Sequence, residues 1–151
     1  MSLAKALATS PDIKHITFIG AETVEKKVAQ AATVNLTPTV LELGGKDPAI
    51  ILPSTDLEKY ASIWMCVVFQ ANGQNCIGIE RFIVPVELHD QFLDIMTARI
   101  AKLRLGSVSS SSADGYVSVV DNGRVISNAR FEGLERLIKA TERYGAAIVT
   151  G

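Results

Sequence analysis

Cys76 is the residue of this chain best suited to nucleophilic chemistry. It ends the stretch Gly-Gln-Asn-Cys at positions 73–76, between an apolar helical pattern and the strand-like run 81–84. A thiolate nucleophile needs an exposed turn and nearby N–H donors, which lower its pKa and hold the oxyanion that forms. Taken alone, the pattern leaves three interpretations open: a nucleophile, a metal ligand, and a small core residue, which is the commonest role of such a cysteine.

Glu42 is a second candidate, because it lies between Leu41 and Leu43 directly before Gly44 and Gly45. The carboxylate either faces solvent on the polar side of a strand or is held in an apolar pocket. A pocket would raise its pKa and suit it to take up a proton near neutral pH. An exposed strand glutamate is the more common outcome of this pattern alone.

A third stretch, Phe-Ile-Gly-Ala-Glu-Thr-Val at 18–24, passes from a strand through Gly20 into a helix. The N-terminus of a helix offers free N–H groups and the positive end of its dipole to a phosphate. A single glycine is a weak signal, so an ordinary strand-to-helix turn is the alternative.

A metal site has few ligands to draw on. Neither Cys66 nor Cys76 has a Cys-x-x-Cys partner, and the only histidines are His15 and His89. We therefore expect no metal and, with two cysteines, no disulfide framework. Cys66 lies inside a helical pattern, which favours a core position.

The elements that must position these residues alternate between strand and helix patterns. Strands are predicted at 15–19, 37–43, 49–52, 81–84 and from 145 on; helices are predicted from Glu22 to about Val34, from Leu57 after an Asp56 cap, after Pro85, and from about Ser127 to Tyr144. The helix that begins at Leu57 is apolar on nearly all sides, which predicts burial nearly all round. The alternation favours an α/β fold with a largely parallel sheet.

Composition excludes several classes of function. The chain has 151 residues, and its 15 basic residues nearly balance its 16 acidic ones, with no basic stripe to bind nucleic acid. No apolar run approaches the roughly 20 residues that span a bilayer, and no targeting signal is visible. We expect the protein to be located in the cytoplasm or another reducing compartment. The low-complexity residues 106–115 are predicted to form a surface loop.

Together, the three chemical stretches resemble the aldehyde dehydrogenase superfamily. That family has a strand with Glu-Leu-Gly-Gly-Lys, a Gly-Gln-x-Cys turn and then an Arg-x-x-Val strand. This chain has these sequences at 42–46, 73–76 and 81–84, with 34 residues from Glu42 to Cys76. The resemblance extends from about Ile13 to Gly151, and Gly-Gln-Asn-Cys is similar to a plant and fungal branch.

The resemblance implies that Cys76 attacks an aldehyde and forms a thiohemiacetal, and that NAD or NADP accepts a hydride to leave a thioester. Glu42 would then activate the water that releases a carboxylic acid. The presence of Glu42 disfavours transfer of the acyl group to coenzyme A. Cofactor contacts are implied for Gly20, Ala21, Val24, Leu43 and Gly44.

The resemblance also implies that the chain is a fragment. Residues 1–43 would be the C-terminal part of the NAD(P)-binding domain and residues 44–151 the N-terminal part of the catalytic domain. The parent enzyme would be a homo-oligomer, a dimer or tetramer, acting on a small aldehyde. The isolated chain is expected to be inactive, because most of the cofactor site lies elsewhere.

Two positions depart from the family pattern. Ala21 replaces a serine, and Glu25 replaces a glycine near a diphosphate-binding turn, where an unneutralised carboxylate would repel the cofactor. These motivate an alternative: a non-catalytic member of the fold with impaired cofactor binding. Downstream, Gly123 is followed by Arg124 instead of proline, so the course of this loop is left open.

Overall fold

The computed structural model describes residues 2–107 and 119–150, and the chain divides into two compact units between Gly45 and Lys46 in the sequence. Each unit contains one pair of parallel strands. The predicted α/β class with parallel pairing is therefore confirmed. Within the two described stretches, no helix combines the length and the apolar character needed to cross a membrane.

The first unit alternates helix and strand, as the sequence predicts. Its elements are α1 (Leu3–Ala8), β1 (Ile16–Gly20), α2 (Glu22–Ala32), a short 3-10 turn (Thr33–Asn35) and β2 (Thr39–Leu43). β1 and β2 run parallel, with Ile19 beside Glu42 and Gly20 beside Leu43. Helix α1 was not predicted; the Ser2 hydroxyl caps it by accepting from the Lys5 N–H.

Side-chain bonds to backbone carbonyls hold the segment that leads into β2. Asn35 Nδ2 donates to Thr9 O at 2.8 Å, and the buried Thr37 hydroxyl donates to Ile13 O at 3.4 Å. Leu36 between them adopts a left-handed conformation with φ of 54°. These bonds offset the cost of left-handed backbone at a residue with a Cβ and direct the chain into β2.

The second unit carries the longer helices. Its elements are β3 (Asp47–Ile50), α3 (Leu57–Phe69), a 3-10 turn (Gln70–Gly73), β4 (Ile79–Ile83), α4 (Val86–Ile100) and α5 (Asn128–Arg143). The predicted caps are present, since the Asp56 carboxylate accepts from the Lys59 N–H and Pro85 precedes α4. Helix α5 begins at the predicted position and ends with a left-handed Gly145, whose N–H donates to Glu142 O.

An apolar core joins α3, β4 and α4. Trp64 lies between Phe82 and Phe92, with ring centroids 5.9 and 5.6 Å away, and the two phenylalanine rings are 5.0 Å apart. The buried members of this core are Ile51, Leu57, Ala61, Trp64, Phe92 and Met96. These tilted aromatic contacts add to the free energy of apolar burial and fix α3 against β4.

Helix α3 buries one stripe and not its whole circumference, so the prediction of all-round burial is wrong. The stripe consists of Leu57, Ala61 and Trp64. Cys66 is about half a turn away from that stripe around the helix axis, and it is exposed. The predicted core position of Cys66 is wrong for the same reason: nothing in the described chain covers that side.

Two further predictions fall near the end of the chain. The strand predicted from 145 on is not formed, because residues 146–150 have no neighbouring strand with which to pair. Residues 147–150 instead line an apolar groove with side chains of α3, β4 and α4. The loop predicted at 106–115 lies outside the described residues from 108 on.

We expect Phe92→Ala to lower the free energy of unfolding by about 3–5 kcal/mol, because it removes a buried ring that packs on two others. Urea titration measures this change. Tyr144→Ala is the matched control, since the Tyr144 side chain is exposed and its loss should cost less than about 0.5 kcal/mol. Equal losses for the two variants would contradict the assignment of the core.

Candidate active site

The turn that carries Cys76 contains strained backbone. After α3 ends at Phe69, three successive residues adopt left-handed conformations: Ala71, Asn72 and Gly73, with φ of 52°, 59° and 69°. Such a conformation costs a residue with a Cβ roughly 1–2 kcal/mol. The turn therefore needs compensating contacts from its surroundings.

Cys76 lies at the end of this turn, and its side chain is exposed. The Sγ atom is 3.9 Å from Asn75 Oδ1, which also accepts from the Ile77 N–H at 3.4 Å. Within the described part of the chain, the backbone N–H of Cys76 has no hydrogen-bond partner. An exposed thiol beside a free N–H fits the nucleophile interpretation, because that N–H can donate to an oxyanion.

Gly78 lets the chain turn from Cys76 into β4. It is buried, and a Cβ built on it would lie 3.3 Å from Val67 O, tighter than ordinary contact. Arg81 then anchors β4, because its Nε donates to Lys46 O at 2.8 Å. The position of Cys76 is thus fixed from the β4 side by close packing and a long-range hydrogen bond.

The side chain of Gln74 connects the turn to residues distant in sequence. Gln74 Oε1 accepts from the Ile126 N–H at 2.8 Å, and Nε2 donates to Ala71 O at 3.0 Å and to Arg124 O at 3.5 Å. We call residues 121–126 the brace. Sequence reasoning missed this connection, because nothing in the local pattern indicates a partner 50 residues away.

Asn122 makes a second connection between the brace and the end of α3. Its side chain is buried, and the amide orientation that gives its nitrogen acceptors has Nδ2 donating to Phe69 O at 3.1 Å and to Asp121 O at 2.9 Å. A buried amide is stable only when its polar atoms are paired. The brace therefore reaches both the first residue before the turn and the residue two before Cys76.

Arg104 holds the start of the brace. Its Nε and backbone N–H both donate to Asp121 Oδ2, at 2.8 and 2.9 Å, and its second guanidinium nitrogen donates to Oδ1 at 2.9 Å. The Arg104 guanidinium, followed by its backbone N–H, holds the pKa of Asp121 at about 2, below the usual 3.8. Arg104 and Asp121 lie at the surface of the second unit. Their bidentate pairing fixes the orientation of Asp121, the first residue of the brace.

Glu42 lies in the first unit, one residue before the end of β2. Its side chain is exposed, while Leu41 and Leu43 on either side are half-buried. Of the two positions that the sequence allows, the first unit by itself shows the solvent-facing one. In the described part of the chain, the carboxylate makes no ion pair or hydrogen bond, so it is available to accept a proton.

The parallel pairing of β1 and β2 places four of the five predicted cofactor residues at the carboxyl-terminal edge of this two-stranded sheet. Gly20 and Leu43 are register partners, and Ala21 and Gly44 are the next residues of each chain segment. The carboxyl ends of parallel strands are where α/β sheets bind ligands. Val24 lies one turn further on, exposed in the first turn of α2.

The two glycines at this edge differ in what they require. A Cβ on Gly20 would lie 2.7 Å from Phe18 Cζ, so a side chain there would require the Phe18 ring to shift. A Cβ on Gly44 would meet nothing within 4 Å. Space beside Gly44 is therefore open, which fits a flat ligand ring laid against the backbone.

The N-terminus of α2 is less favourable to a diphosphate. Ala21 provides no side-chain cap, and Glu22 forms an ion pair with Lys26, which lowers the pKa of Glu22 and raises that of Lys26. Glu25 is half-buried in the same turn. Lys26 offsets one of the two carboxylates, so one negative charge remains near the first N–H groups.

Residues 2–107 and 119–150 contain no cluster of side chains that could bind a metal ion. No group of three His, Cys, Asp or Glu side chains there is arranged to hold an ion. The two candidate catalytic residues, Cys76 and Glu42, are on different units.

Comparison with protein families gives a match to the aldehyde dehydrogenase family over residues 1–151. The chain is 44% identical over 149 residues to an aldehyde dehydrogenase-like protein of Schizosaccharomyces pombe, covering 99% of this chain and 27% of that protein. It is 38% identical over 120 residues to succinate-semialdehyde dehydrogenase [NADP(+)] 1 of Mycobacterium tuberculosis, covering 80% and 26%. The chain thus spans about a quarter of the length of these relatives.

Solved structures give the same fold. Betaine aldehyde dehydrogenase of Staphylococcus aureus, in complex with NAD+, matches with a TM-score of 0.87 and 26% identity over 99% of this chain and 28% of that one. A mutant of aldehyde dehydrogenase C of Pseudomonas syringae, with NAD+ and octanal, matches with a TM-score of 0.86 and 27% identity over 97% and 29%.

The low pKa of Asp121 gives a pH-dependent prediction. A carboxyl whose pKa is lowered on folding stabilises the fold above its unfolded pKa, and this contribution is lost as the pH falls through the folded value. We expect the stability difference between wild type and Asp121→Asn to be constant above about pH 5 and to shrink between pH 3.8 and about 2. Urea unfolding at a series of pH values measures it.

Asp94→Asn is the control for this titration, because Asp94 is exposed and its carboxylate makes no hydrogen bond within the described residues. An Asp121→Asn difference with the same pH profile as the Asp94→Asn difference would show that the Arg104 pair does not hold the brace.

Proposed function

The chain belongs to the aldehyde dehydrogenase family, and on that premise we propose that Cys76 is the nucleophile and Glu42 the general base of aldehyde oxidation to a carboxylic acid. The observation that carries the proposal is the exposed Cys76 thiol, which lies beside its own unpaired N–H in a turn held from both sides. Residues 44–151 would be the N-terminal part of a catalytic domain, and residues 1–43 the C-terminal part of an NAD(P)-binding domain.

In the proposed reaction, the Cys76 thiolate adds to the aldehyde carbon and forms the C–S bond of a thiohemiacetal. The Cys76 N–H donates to the oxygen as negative charge develops on it. NAD or NADP, when bound, supplies the acceptor for the hydride of that carbon. The product of oxidation is a thioester on Cys76.

Glu42 acts in the second half of the reaction. Its carboxylate takes a proton from a water molecule as the water oxygen attacks the thioester carbon, and the C–S bond breaks to release the acid and the thiolate. An unpaired carboxylate can accept this proton without first losing a partner. The residues available for the nicotinamide side are Leu43 and Gly44, next to Glu42 in sequence, with Gly20 beside them; Ala21 and Val24 follow in the turn.

The names of the relatives support this class of reaction, and they do not favour a non-catalytic member of the fold. Ala21 and Glu25 weaken one part of a cofactor site without closing the space beside Gly44. The isolated chain is expected to have no turnover, since it holds only part of the site. Homo-oligomer formation and a reducing compartment stay predictions for the full-length protein.

We expect Cys76→Ser in the full-length protein to reduce turnover of aldehydes with NAD or NADP by at least about 10³-fold, because a hydroxyl is a far weaker nucleophile than a thiolate. Steady-state assay of NAD(P)H formation over a panel of aldehydes measures it. Cys66→Ser is the matched control, since Cys66 is also exposed but lies on α3, and it should keep wild-type rates. Unchanged turnover in Cys76→Ser would refute the nucleophile.

Glu42→Gln should slow release of the acid by roughly 10²–10⁴-fold while leaving formation of the thioester intact. Rapid-mixing experiments should then show a burst of NAD(P)H followed by a slow steady state, with an acyl group on Cys76 detected by mass spectrometry. Glu87→Gln, an exposed glutamate in the first turn of α4, is the control. Absence of both the burst and the acyl adduct, with an equally slow first turnover, would contradict the base assignment.

A further inference from the structure

We propose that Gln74 is a positioning residue for Cys76: its side-chain amide clamps the nucleophile turn to the brace and so fixes the direction of the thiol and of the Cys76 N–H. This inference rests on the proposed function. It concerns how the site is held, and it assigns to the brace a role that its sequence does not show.

The first step is geometric. Both polar atoms of the Gln74 amide are used: Oε1 accepts from Ile126 N–H at 2.8 Å, and Nε2 donates to Ala71 O at 3.0 Å, with a longer contact of 3.5 Å to Arg124 O. All of these partners are backbone groups. A side chain that bonds only backbone on two separate segments acts as a crosslink between them.

The second step concerns strain. Ala71 and Asn72 carry left-handed backbone, and such conformations persist only where surrounding contacts determine them. The Ala71 carbonyl accepts from the Gln74 backbone N–H at 3.2 Å and from its side chain at 3.0 Å. Gln74 is therefore the residue that closes the strained turn, and it is two residues from the thiol.

The third step is that the brace is itself held in place, so the Gln74 side chain connects the turn to a fixed segment. Arg104 grips Asp121, Asn122 reaches Phe69 O, and the Ser127 hydroxyl caps α5 directly after Ile126. Residues at both ends of the brace are thus anchored within the second unit. Without Gln74, the side-chain hydrogen bond described between the brace and this end of α3 is that of Asn122 to Phe69 O, seven residues before Cys76.

The test compares Gln74→Met with Gln70→Met in the full-length protein. Methionine keeps the length of the side chain but removes its hydrogen bonds. Gln70 is the matched control, because it lies on the same turn, is exposed, and its side chain makes no hydrogen bond within the described residues. We expect Gln74→Met to lower kcat by roughly ten- to a hundredfold, as a misplaced reacting group does, with KM within about twofold of wild type.

A second readout does not depend on activity. Hydrogen exchange of the Ile126 amide should speed up by at least about tenfold in Gln74→Met and stay at the wild-type rate in Gln70→Met, because only the first loses its acceptor. Should Gln74→Met fail to fold, Gln74→Glu keeps an acceptor for Ile126 N–H and lacks the donors. It is then compared with Gln70→Glu, which adds the same charge to the same turn, and the same fall in kcat is expected.

Several outcomes would overturn the inference. One is equal kcat for the Gln74 and Gln70 variants while Cys76→Ser is inactive, which leaves the nucleophile assignment standing. Another is a rise in KM that accounts for the whole loss, which would make Gln74 a binding residue. If Cys76→Ser keeps full turnover, the proposed function fails instead, and Ile126 exchange alone then reports whether Gln74 holds the brace.

Discussion

The packing of Trp64 against Phe82 is the contact on which the described site depends. Trp64 belongs to α3 and Phe82 to β4, the two elements on either side of the turn with Cys76. The ring centroids of Trp64 and Phe82 are 5.9 Å apart, and Phe92 of α4 packs against both rings, so the two elements that flank the turn are held together. Because the ends of the turn are fixed by apolar burial, its few residues cannot relax into ordinary backbone. The left-handed conformations at Ala71 and Asn72 follow from that constraint.

Polar contacts then select one conformation of the turn from those that its ends allow. Apolar packing is non-directional, so it fixes α3 and β4 without fixing where a side chain between them points. The amides of Gln74 and Asn122 supply direction, because each hydrogen bond holds a particular backbone group at a particular distance. The result is a turn whose backbone is held while the Cys76 thiol stays exposed, as the proposed attack on a carbonyl carbon requires.

The sequence predicts elements well where a local pattern determines them. Asp56 before α3, Pro85 before α4 and the strand at Arg81 are local signals, and the structure has all three. It fails where a partner decides the outcome: the apolar neighbours of Cys66 predict a core position that nothing in the described chain covers, and the strand predicted from 145 on has no strand to pair with among the described residues. Local motifs mark Cys76 and Glu42 as candidates, whereas the contact of Gln74 with the brace is visible only in the folded chain. Hydrogen bonds between residues 50 apart leave no periodic trace.

Charge at the start of α2 shows how a site can be altered without losing its geometry. The positive end of a helix dipole stabilises either a bound phosphate or a carboxylate of the helix itself. Here Glu22 and Glu25 already occupy that field, and Lys26 forms its ion pair with Glu22. A diphosphate at this turn would meet the remaining negative charge, so binding there would depend more on salt and on neighbouring groups than in a turn of glycines. Gly20, Leu43 and Gly44, at the carboxyl ends of β1 and β2, have no charged side chains of their own, and the space beside Gly44 is open. Ligand binding at the start of α2 should therefore respond to charge substitutions. Ligand binding beside Gly44 should respond to added side-chain volume.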